Sequence, residues 1–136
     1  MVDSAAGQRI KVLLVDDEET FRETLAKLLR RRGLDVATAA NGEEGLERLV
    51  EHLPDVVVLD LRMPGLDGLA TLIRINELRP GTRVVMLTGH GSVEAGVEAL
   101  RGAAWDFLLK PISPDQLVEV ILAAAGPQAG PPSGGR

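Results

Sequence analysis

The stretch DVVVLD, residues 55–60, is the strongest strand signal in the chain. Four consecutive apolar residues, three of them valine, are typical of a short strand that is buried on both faces of a sheet. Other apolar runs lie on both sides of it in the sequence. They are IKVLLVD (10–16), LDVATAA (34–40), TRVVMLTG (82–89) and DFLL (106–109). The sequence therefore predicts five strands, and residues 55–60 form the central, most buried one.

Segments with helical periodicity follow the strands. The predicted helices cover residues 20–33, 41–52, 65–78, 92–102 and 113–125. The first helix has its apolar stripe at Phe21, Leu25, Leu28 and Leu29. Asn41 and Glu44 form a capping-box pattern at the start of the second, and Leu69, Leu72 and Ile73 are predicted to face the sheet from the third. Apolar strands that alternate with amphipathic helices predict a single-domain α/β fold, a doubly wound (βα)5 unit whose five-stranded parallel sheet has helices on both faces.

The composition restricts the classes of function. A chain of 136 residues is long enough for one domain, and its net charge of −5 argues against nucleic-acid binding by phosphate neutralisation. There is no cysteine, which excludes disulfides and cysteine-based zinc sites. No apolar run reaches the ~18 residues of a membrane-spanning helix. The expectation is a soluble cytoplasmic protein with no membrane partner.

Both ends of the chain are predicted to lie outside the folded domain. Residues 1–9 have no apolar pattern and are predicted to be a flexible N-terminus. Residues 126–136, GPQAGPPSGGR, are rich in proline, glycine and serine, which is typical of a disordered tail or the start of a linker. The predicted domain therefore covers residues 10–125.

Polar or charged side chains follow four of the five predicted strands. Asp16 and Asp17 follow the first strand, and Asp60 ends the third. Thr88 ends the fourth strand and Lys110 follows the fifth. In a doubly wound parallel sheet, ligand sites lie outside the carboxyl ends of the strands, which share one edge. The sequence therefore predicts that three carboxylates, a hydroxyl and an ammonium group converge there.

Three crowded carboxylates either take up protons or bind a cation, because two of them ~4 Å apart repel by about 4 kcal/mol at an effective dielectric of 20. Mg²⁺ suits oxygen ligands and keeps waters that a phosphate can replace. A carboxylate is also a covalent nucleophile for phosphoryl groups. We therefore predict phosphoryl transfer to Asp60, with Asp16 and Asp17 holding Mg²⁺, and with Lys110 and Thr88 contacting phosphoryl oxygens.

Each of these residues alone has a simpler explanation. A single aspartate at a strand end is more often a turn former or a helix cap, and a single lysine is usually solvated. Glu18 and Glu19 fit the first turn of a helix, where negative charge is favourable. The functional interpretation depends on the convergence of all of these groups at one edge.

Four blocks of the sequence resemble the receiver domain of bacterial two-component response regulators, which has a CheY-like, flavodoxin-like fold. They are VDDE (15–18), VVVLDLRMPGLDG (56–68), MLTGHGS (86–92) and GAAWDFLLKPI (102–112). The blocks occur in the order and spacing of the family, and the resemblance spans residues 10–125. The stretches LTGHGSVEAGVEAL (87–100) and GAAWDFLLKPI (102–112) are most similar to receivers that are attached to DNA-binding transcription regulators.

The resemblance implies a phosphoacceptor and a metal site. Asp60 is the implied phosphoacceptor. Mg²⁺, with Mn²⁺ as an alternative, is implied to be held by Asp16, Asp17, Asp60 and the backbone carbonyl of Arg62. The side chain of Arg62 is implied to tune how fast water removes the phosphoryl group.

Further residues are implied to respond to phosphorylation. Lys110 resembles the lysine that binds a phosphoryl oxygen, and Thr88 the switch hydroxyl that turns towards the phosphoryl group. Phe107 resembles the aromatic residue that swings inward when Thr88 moves. Gly89 fits a position that must stay small, and His90 is implied, with Gly89, to tune the reaction.

The function that the resemblance implies is a phosphorylation-dependent signalling switch. A sensor histidine kinase or a phosphotransfer protein donates the phosphoryl group. The surface of the fourth predicted helix, fifth strand and fifth predicted helix then controls an effector domain or protein, or forms a phosphorylation-dependent homodimer. Such a domain has no separate substrate to turn over, but it catalyses its own phosphorylation and dephosphorylation.

Other functions compete with this one. A hydrolase of the haloacid-dehalogenase type needs a second aspartate two residues after the nucleophile, where this sequence has Arg62. A flavodoxin-like cofactor binder needs a phosphate loop after the first strand, where the sequence DDEE would repel phosphate. A P-loop enzyme is excluded because no GxxxxGK[ST] motif occurs. A pseudo-receiver that acts by protein contact without phosphorylation stays open as the alternative.

Overall fold

The computed structural model describes residues 9–60, 68–89 and 103–126. The strands in these ranges are β1 (Lys11–Val15), β2 (Asp35–Ala39), β3 (Val56–Leu59), β4 (Arg83–Thr88) and β5 (Asp106–Leu109). The helices are α1 (Glu19–Arg31), α2 (Gly42–His52), α3 (Gly68–Leu78) and α4 (Pro114–Ala125). The helix named α4 is the fifth predicted helix, and the fourth predicted helix lies outside the described residues. Within the described ranges, no helix is long and apolar enough to cross a membrane.

The strands form one parallel sheet with the order β2-β1-β3-β4-β5. The chain passes from β1 outward to β2 and then returns to β3 on the other side of β1. The direction of winding therefore reverses between β1 and β3. At such a switch point the loops that follow the two strands diverge and leave a crevice at the carboxyl edge of the sheet. The predicted five-stranded doubly wound fold is confirmed, with β3 at its centre.

The core lies on both faces of the sheet. In β1, Val12 and Leu14 pack with α1 and α4, whereas Leu13 and Val15 point to the opposite face and pack with α2 and α3. The residues of β3 and β4 alternate between the same two clusters. Because neither face meets water, β3 is apolar at every position, and β1 and β4 are apolar at consecutive positions apart from polar residues at their ends.

The predicted cap at the start of α2 is confirmed. The side-chain oxygen of Asn41 accepts a hydrogen bond of 2.8 Å from the backbone N–H of Glu44. The carboxylate of Glu44 accepts in return from the backbone N–H of Ala40, at 2.7 Å. The first bond satisfies a donor that the first turn of a helix leaves without an intrahelical partner, and the second ties Glu44 back to the residue before the cap.

The predicted orientation of α3 was wrong at one residue. Ile73 was expected to face the sheet, but its side chain is 51% exposed. The buried residues of α3 are Gly68, Thr71, Leu72 and Ile75. Each residue turns the helix by ~100°, so Ile75 returns to the face of Leu72 while Ile73 points away from it.

Gly45 makes a close contact that leads to a first prediction. A Cβ added at Gly45 would lie 3.1 Å from Cγ2 of Val15, which is fully buried in β1. We expect Gly45→Ala to destabilise the protein by about 1–2 kcal/mol through overpacking, although alanine in a helix is favoured over glycine by about 1 kcal/mol. Urea unfolding measures the change, and Gly81→Ala is the control, since a Cβ there meets nothing within 4 Å among the described residues. A stabilised Gly45→Ala variant would contradict the prediction.

Candidate functional site

Three of the predicted site residues lie together at the carboxyl edge of the sheet. Asp16 directly follows β1, Asp60 directly follows β3, and Lys110 directly follows β5. The backbone N–H of Asp16 donates to the carbonyl of Ala39, and that of Asp60 donates to the carbonyl of Val15. These bonds continue the sheet pairing by one residue, so both aspartates are held by the sheet and not by a free loop. Asp16 is 2% exposed and Asp60 is 7% exposed.

The aspartates form a cluster that can hold a metal ion. Asp16, Asp17 and Asp60 each offer a carboxylate oxygen, and these oxygens lie within 4.8 Å of one another. Asp17 is exposed, whereas the other two are buried. Buried like charges at this separation repel strongly, and a hard divalent cation with oxygen ligands offsets that repulsion. The donor set fits Mg²⁺, which prefers oxygen ligands.

Lys110 supplies positive charge to this cluster. Its Nζ lies 2.8 Å from Oδ2 of Asp16, 3.8 Å from Oδ2 of Asp60 and 3.6 Å from Oε1 of Glu18. Burial by itself lowers the pKa of the lysine ammonium, but the hydrogen bond to Asp16 and the charges of the three carboxylates outweigh it and raise the pKa above its ordinary value. The ammonium therefore stays protonated throughout the neutral pH range.

The first turn of α1 adds two residues that sequence reasoning did not assign to the site. The ring of Phe21 lies under the lysine, with Nζ of Lys110 4.2 Å from the ring centroid. The guanidinium of Arg22 donates a hydrogen bond of 2.9 Å to the backbone carbonyl of Asp16. Phe21 was interpreted only as part of the apolar stripe of the helix. Its position close to the VDDE block is the one signal in the sequence that could have suggested a role for Phe21 at the site.

The two predicted switch residues, Thr88 and Phe107, lie on the neighbouring strands β4 and β5. Thr88 ends β4 and pairs with Leu109 of β5, while Phe107 pairs with Met86. Phe107 is half-buried and packs against the cluster between the sheet, α2 and α3. The peptide bond between Lys110 and Pro111 is cis.

The remaining predicted residues lie in the loops around the site. Gly89 follows β4, and a Cβ added there would meet no atom within 4 Å among the described residues. The predicted need for a small residue at position 89 stays a prediction. Arg62 and His90 lie outside the described residues, so their predicted roles stay predictions.

Comparison with known proteins agrees with the geometry. The family model of the response regulator receiver domain matches residues 12–122. The chain is 40% identical over 114 residues to the DNA-binding transcriptional regulator NtrC of Escherichia coli K12, and 40% identical over 114 residues to the C4-dicarboxylate transport transcriptional regulatory protein DctD of Pseudomonas aeruginosa. Each match covers 84% of this chain, but only 24% of NtrC and 25% of DctD.

Solved structures show the same fold at the scale of the whole domain. The receiver domain of NtrX from Brucella abortus is similar with a TM-score of 0.78 and 38% identity, over 84% of this chain and 97% of that one. A receiver domain protein from Clostridium thermocellum gives a TM-score of 0.80 and 35% identity, over 85% and 94% of the two chains. The chain thus belongs to the response regulator receiver domain family of two-component systems.

Proposed function

We propose that this chain is a phosphorylation-dependent switch whose phosphoacceptor is Asp60. The phosphoryl group comes from the phosphohistidine of a sensor histidine kinase or a phosphotransfer protein. The observation that carries the proposal is the arrangement at the switch point, where an ammonium lies 2.8 Å from Asp16 and 3.8 Å from Asp60. A nucleophilic carboxylate, a group of acidic ligands and a cation for the phosphoryl oxygens are thereby within reach of one another.

The reaction needs no general base. An oxygen of the Asp60 carboxylate forms the new bond to phosphorus, and the bond from phosphorus to the imidazole nitrogen of the donor breaks. Lys110 holds a charge where the phosphoryl oxygens arrive, and its hydrogen bond to Asp16 can be exchanged for one to such an oxygen. Mg²⁺, held by Asp16, Asp17 and Asp60 with the backbone carbonyl of Arg62 as the implied further ligand, would offset the charge of the phosphoryl group.

The output follows from the charge that is added. An aspartyl phosphate carries about −1.5 to −2 charges and three acceptor oxygens, which Thr88 and Lys110 would contact. Movement of Thr88 would let Phe107 move inward, and together they would change the surface of β5, α4 and the fourth predicted helix. Gly89, Arg62 and His90 would set how long the phosphoryl group lasts.

The effector that we propose is an output domain or protein that controls transcription, reached directly or through a phosphorylation-dependent homodimer. Two relatives, NtrC and DctD, are transcriptional regulators by name. The chain spans only about a quarter of their length, because the matches cover 24% and 25% of them. Control of transcription would then belong to a part beyond the receiver domain.

The direct test is the intact mass of the protein after incubation with acetyl phosphate. We expect a gain of one phosphoryl group in the presence of Mg²⁺ and no gain in EDTA. A wild-type protein that gains nothing under either condition would overturn the proposal and favour the pseudo-receiver alternative.

Metal binding gives a second prediction. A ligand that binds only the folded state stabilises it by about 2.7 kcal/mol at 100 times its dissociation constant, so Mg²⁺ should raise the melting temperature of the wild type measurably. Asp17→Asn should lose most of this increase while remaining as stable as the wild type in EDTA, because one of three repelling carboxylates is gone. Thermal unfolding with Mg²⁺ and with EDTA measures both effects.

The control for the metal prediction is Asp35→Asn. Asp35 begins β2 at the opposite edge of the sheet, so this variant removes the same charge far from the cluster. It should respond to Mg²⁺ as the wild type does. An Asp17→Asn variant that keeps the full increase in melting temperature would show that the ion binds elsewhere.

A further inference from the structure

The ring of Phe21 and three carboxylates all lie close to the ammonium of Lys110. The carboxylates of Asp16, Glu18 and Asp60 lie 2.8, 3.6 and 3.8 Å from Nζ, and the ring centroid of Phe21 lies 4.2 Å from it. The ring face carries partial negative charge and attracts a cation at this distance. The ammonium group thus lies close to three carboxylates and an aromatic ring.

We propose that Phe21 is a positioning residue for phosphoryl transfer, acting through Lys110; the inference rests on the proposed function. The ring attracts the ammonium through a cation–π contact, which does not use up a hydrogen bond as a contact with an oxygen acceptor does. Lys110 can therefore exchange its bond to Asp16 for a bond to a phosphoryl oxygen while the ring still holds it over the site. A side chain without the ring face would leave the ammonium held only by the groups that it must partly release.

The ring is itself well supported by its surroundings. Phe21 is half-buried and packs against the core cluster between the sheet, α1 and α4. Leu25, one helical turn further along α1, is buried in that cluster. The neighbouring residue Arg22 ties the same turn to the end of β1 through its 2.9 Å bond to the carbonyl of Asp16. The first turn of α1 therefore fixes the ring relative to both Asp16 and Lys110.

The test compares Phe21→Leu with Phe21→Tyr. Leucine keeps an apolar side chain but has no ring face, whereas tyrosine keeps the ring. At saturating Mg²⁺ and acetyl phosphate, we expect phosphorylation of Phe21→Leu to be about two- to fivefold slower than that of the wild type, as for loss of a partly exposed cation–π contact. Phe21→Tyr should be phosphorylated at nearly the wild-type rate. Equal rates for Phe21→Leu and the wild type would overturn the inference.

A double-mutant cycle separates positioning from a general loss of structure. In a Lys110→Met background, Phe21→Leu should slow phosphorylation no further, since the ring acts through the lysine. Calorimetry should show the same Mg²⁺ affinity for Phe21→Leu as for the wild type, because Phe21 does not contact the acidic cluster through a polar atom. Additive slowing in the cycle, or a weakened Mg²⁺ affinity, would show that Phe21 is merely structural.

The contact itself has a readout that does not require phosphorylation. The Cε protons of Lys110 should show a ring-current shift in the NMR spectrum of the wild type and of Phe21→Tyr, and should lose it in Phe21→Leu. Absence of that shift in the wild type would overturn the inference. A wild type that takes up no phosphoryl group would instead overturn the proposed function. If the wild type is phosphorylated and Phe21→Leu is phosphorylated at the same rate, only the positioning role is overturned.

Discussion

Asp60→Asn is expected to take up no phosphoryl group from acetyl phosphate under conditions in which the wild type takes up one. Asparagine has nearly the shape of aspartate, but its neutral amide is not a nucleophile for phosphorus at neutral pH. The variant should fold normally, because Asp60 is one of three carboxylates that repel one another and its loss relieves that repulsion. Intact mass with Mg²⁺ present measures the difference.

A matched control for this variant comes from the same strand. Asp55 precedes β3 and Asp60 follows it, so Asp55→Asn makes the same change at the opposite edge of the sheet. Asparagine at position 55 can still accept the 2.9 Å hydrogen bond from the backbone N–H of Lys11. Asp55→Asn should be phosphorylated like the wild type. If Asp60→Asn still gains a phosphoryl group, the nucleophile is another carboxylate, and Asp16 and Asp17 become the candidates.

Lys110→Met should slow phosphorylation by about 100-fold, the cost of removing one preorganised group that faces developing charge in a transition state. Methionine keeps much of the length of the side chain but has no charge. The same substitution should tighten Mg²⁺ binding, because the ammonium that lies 2.8 Å from Asp16 competes with a metal ion for that carboxylate. A slower reaction together with a higher metal affinity cannot arise from unfolding, which would weaken both.

The control for the lysine variant is Lys27→Met. Lys27 is exposed on α1, so the variant loses the same charge without touching the acidic cluster. Its rate and its Mg²⁺ affinity should match those of the wild type. A Lys110→Met protein that reacts within about twofold of the wild-type rate, well short of the loss typical of such a group, would contradict the assignment of Lys110.

The convergence of Asp16, Asp60 and Lys110 could be predicted because it needs only the topology of the sheet. Once the strands are parallel, the residues that follow them share an edge, whatever the packing of the helices. Asp16 and Lys110 are separated by 94 positions in the sequence, yet they form a 2.8 Å hydrogen bond. The alternation of apolar strands with amphipathic helices, which predicts a parallel sheet, was sufficient to place them together.

The contact between Phe21 and Lys110 could not be predicted in the same way. It depends on the angle at which α1 leaves β1 and on the path of the chain after β5, and neither leaves a periodic signal in the sequence. The error at Ile73 has a related cause. Leu72 and Ile73 are both apolar, and the pattern does not show which of them turns towards the sheet until the packing with α2 selects one face.

The position of β5 in the sheet has a mechanical consequence. β1 and β3 are covered by strands on both sides and are almost wholly buried, whereas β5 is last in the strand order and its four residues are half-buried or exposed. The central strands are therefore rigid, and the edge strand β5 is more easily displaced. Lys110 follows β5, and its side chain reaches the acidic groups that follow β1 and β3. A change of charge at the centre would then displace β5 while β1 and β3 keep their places.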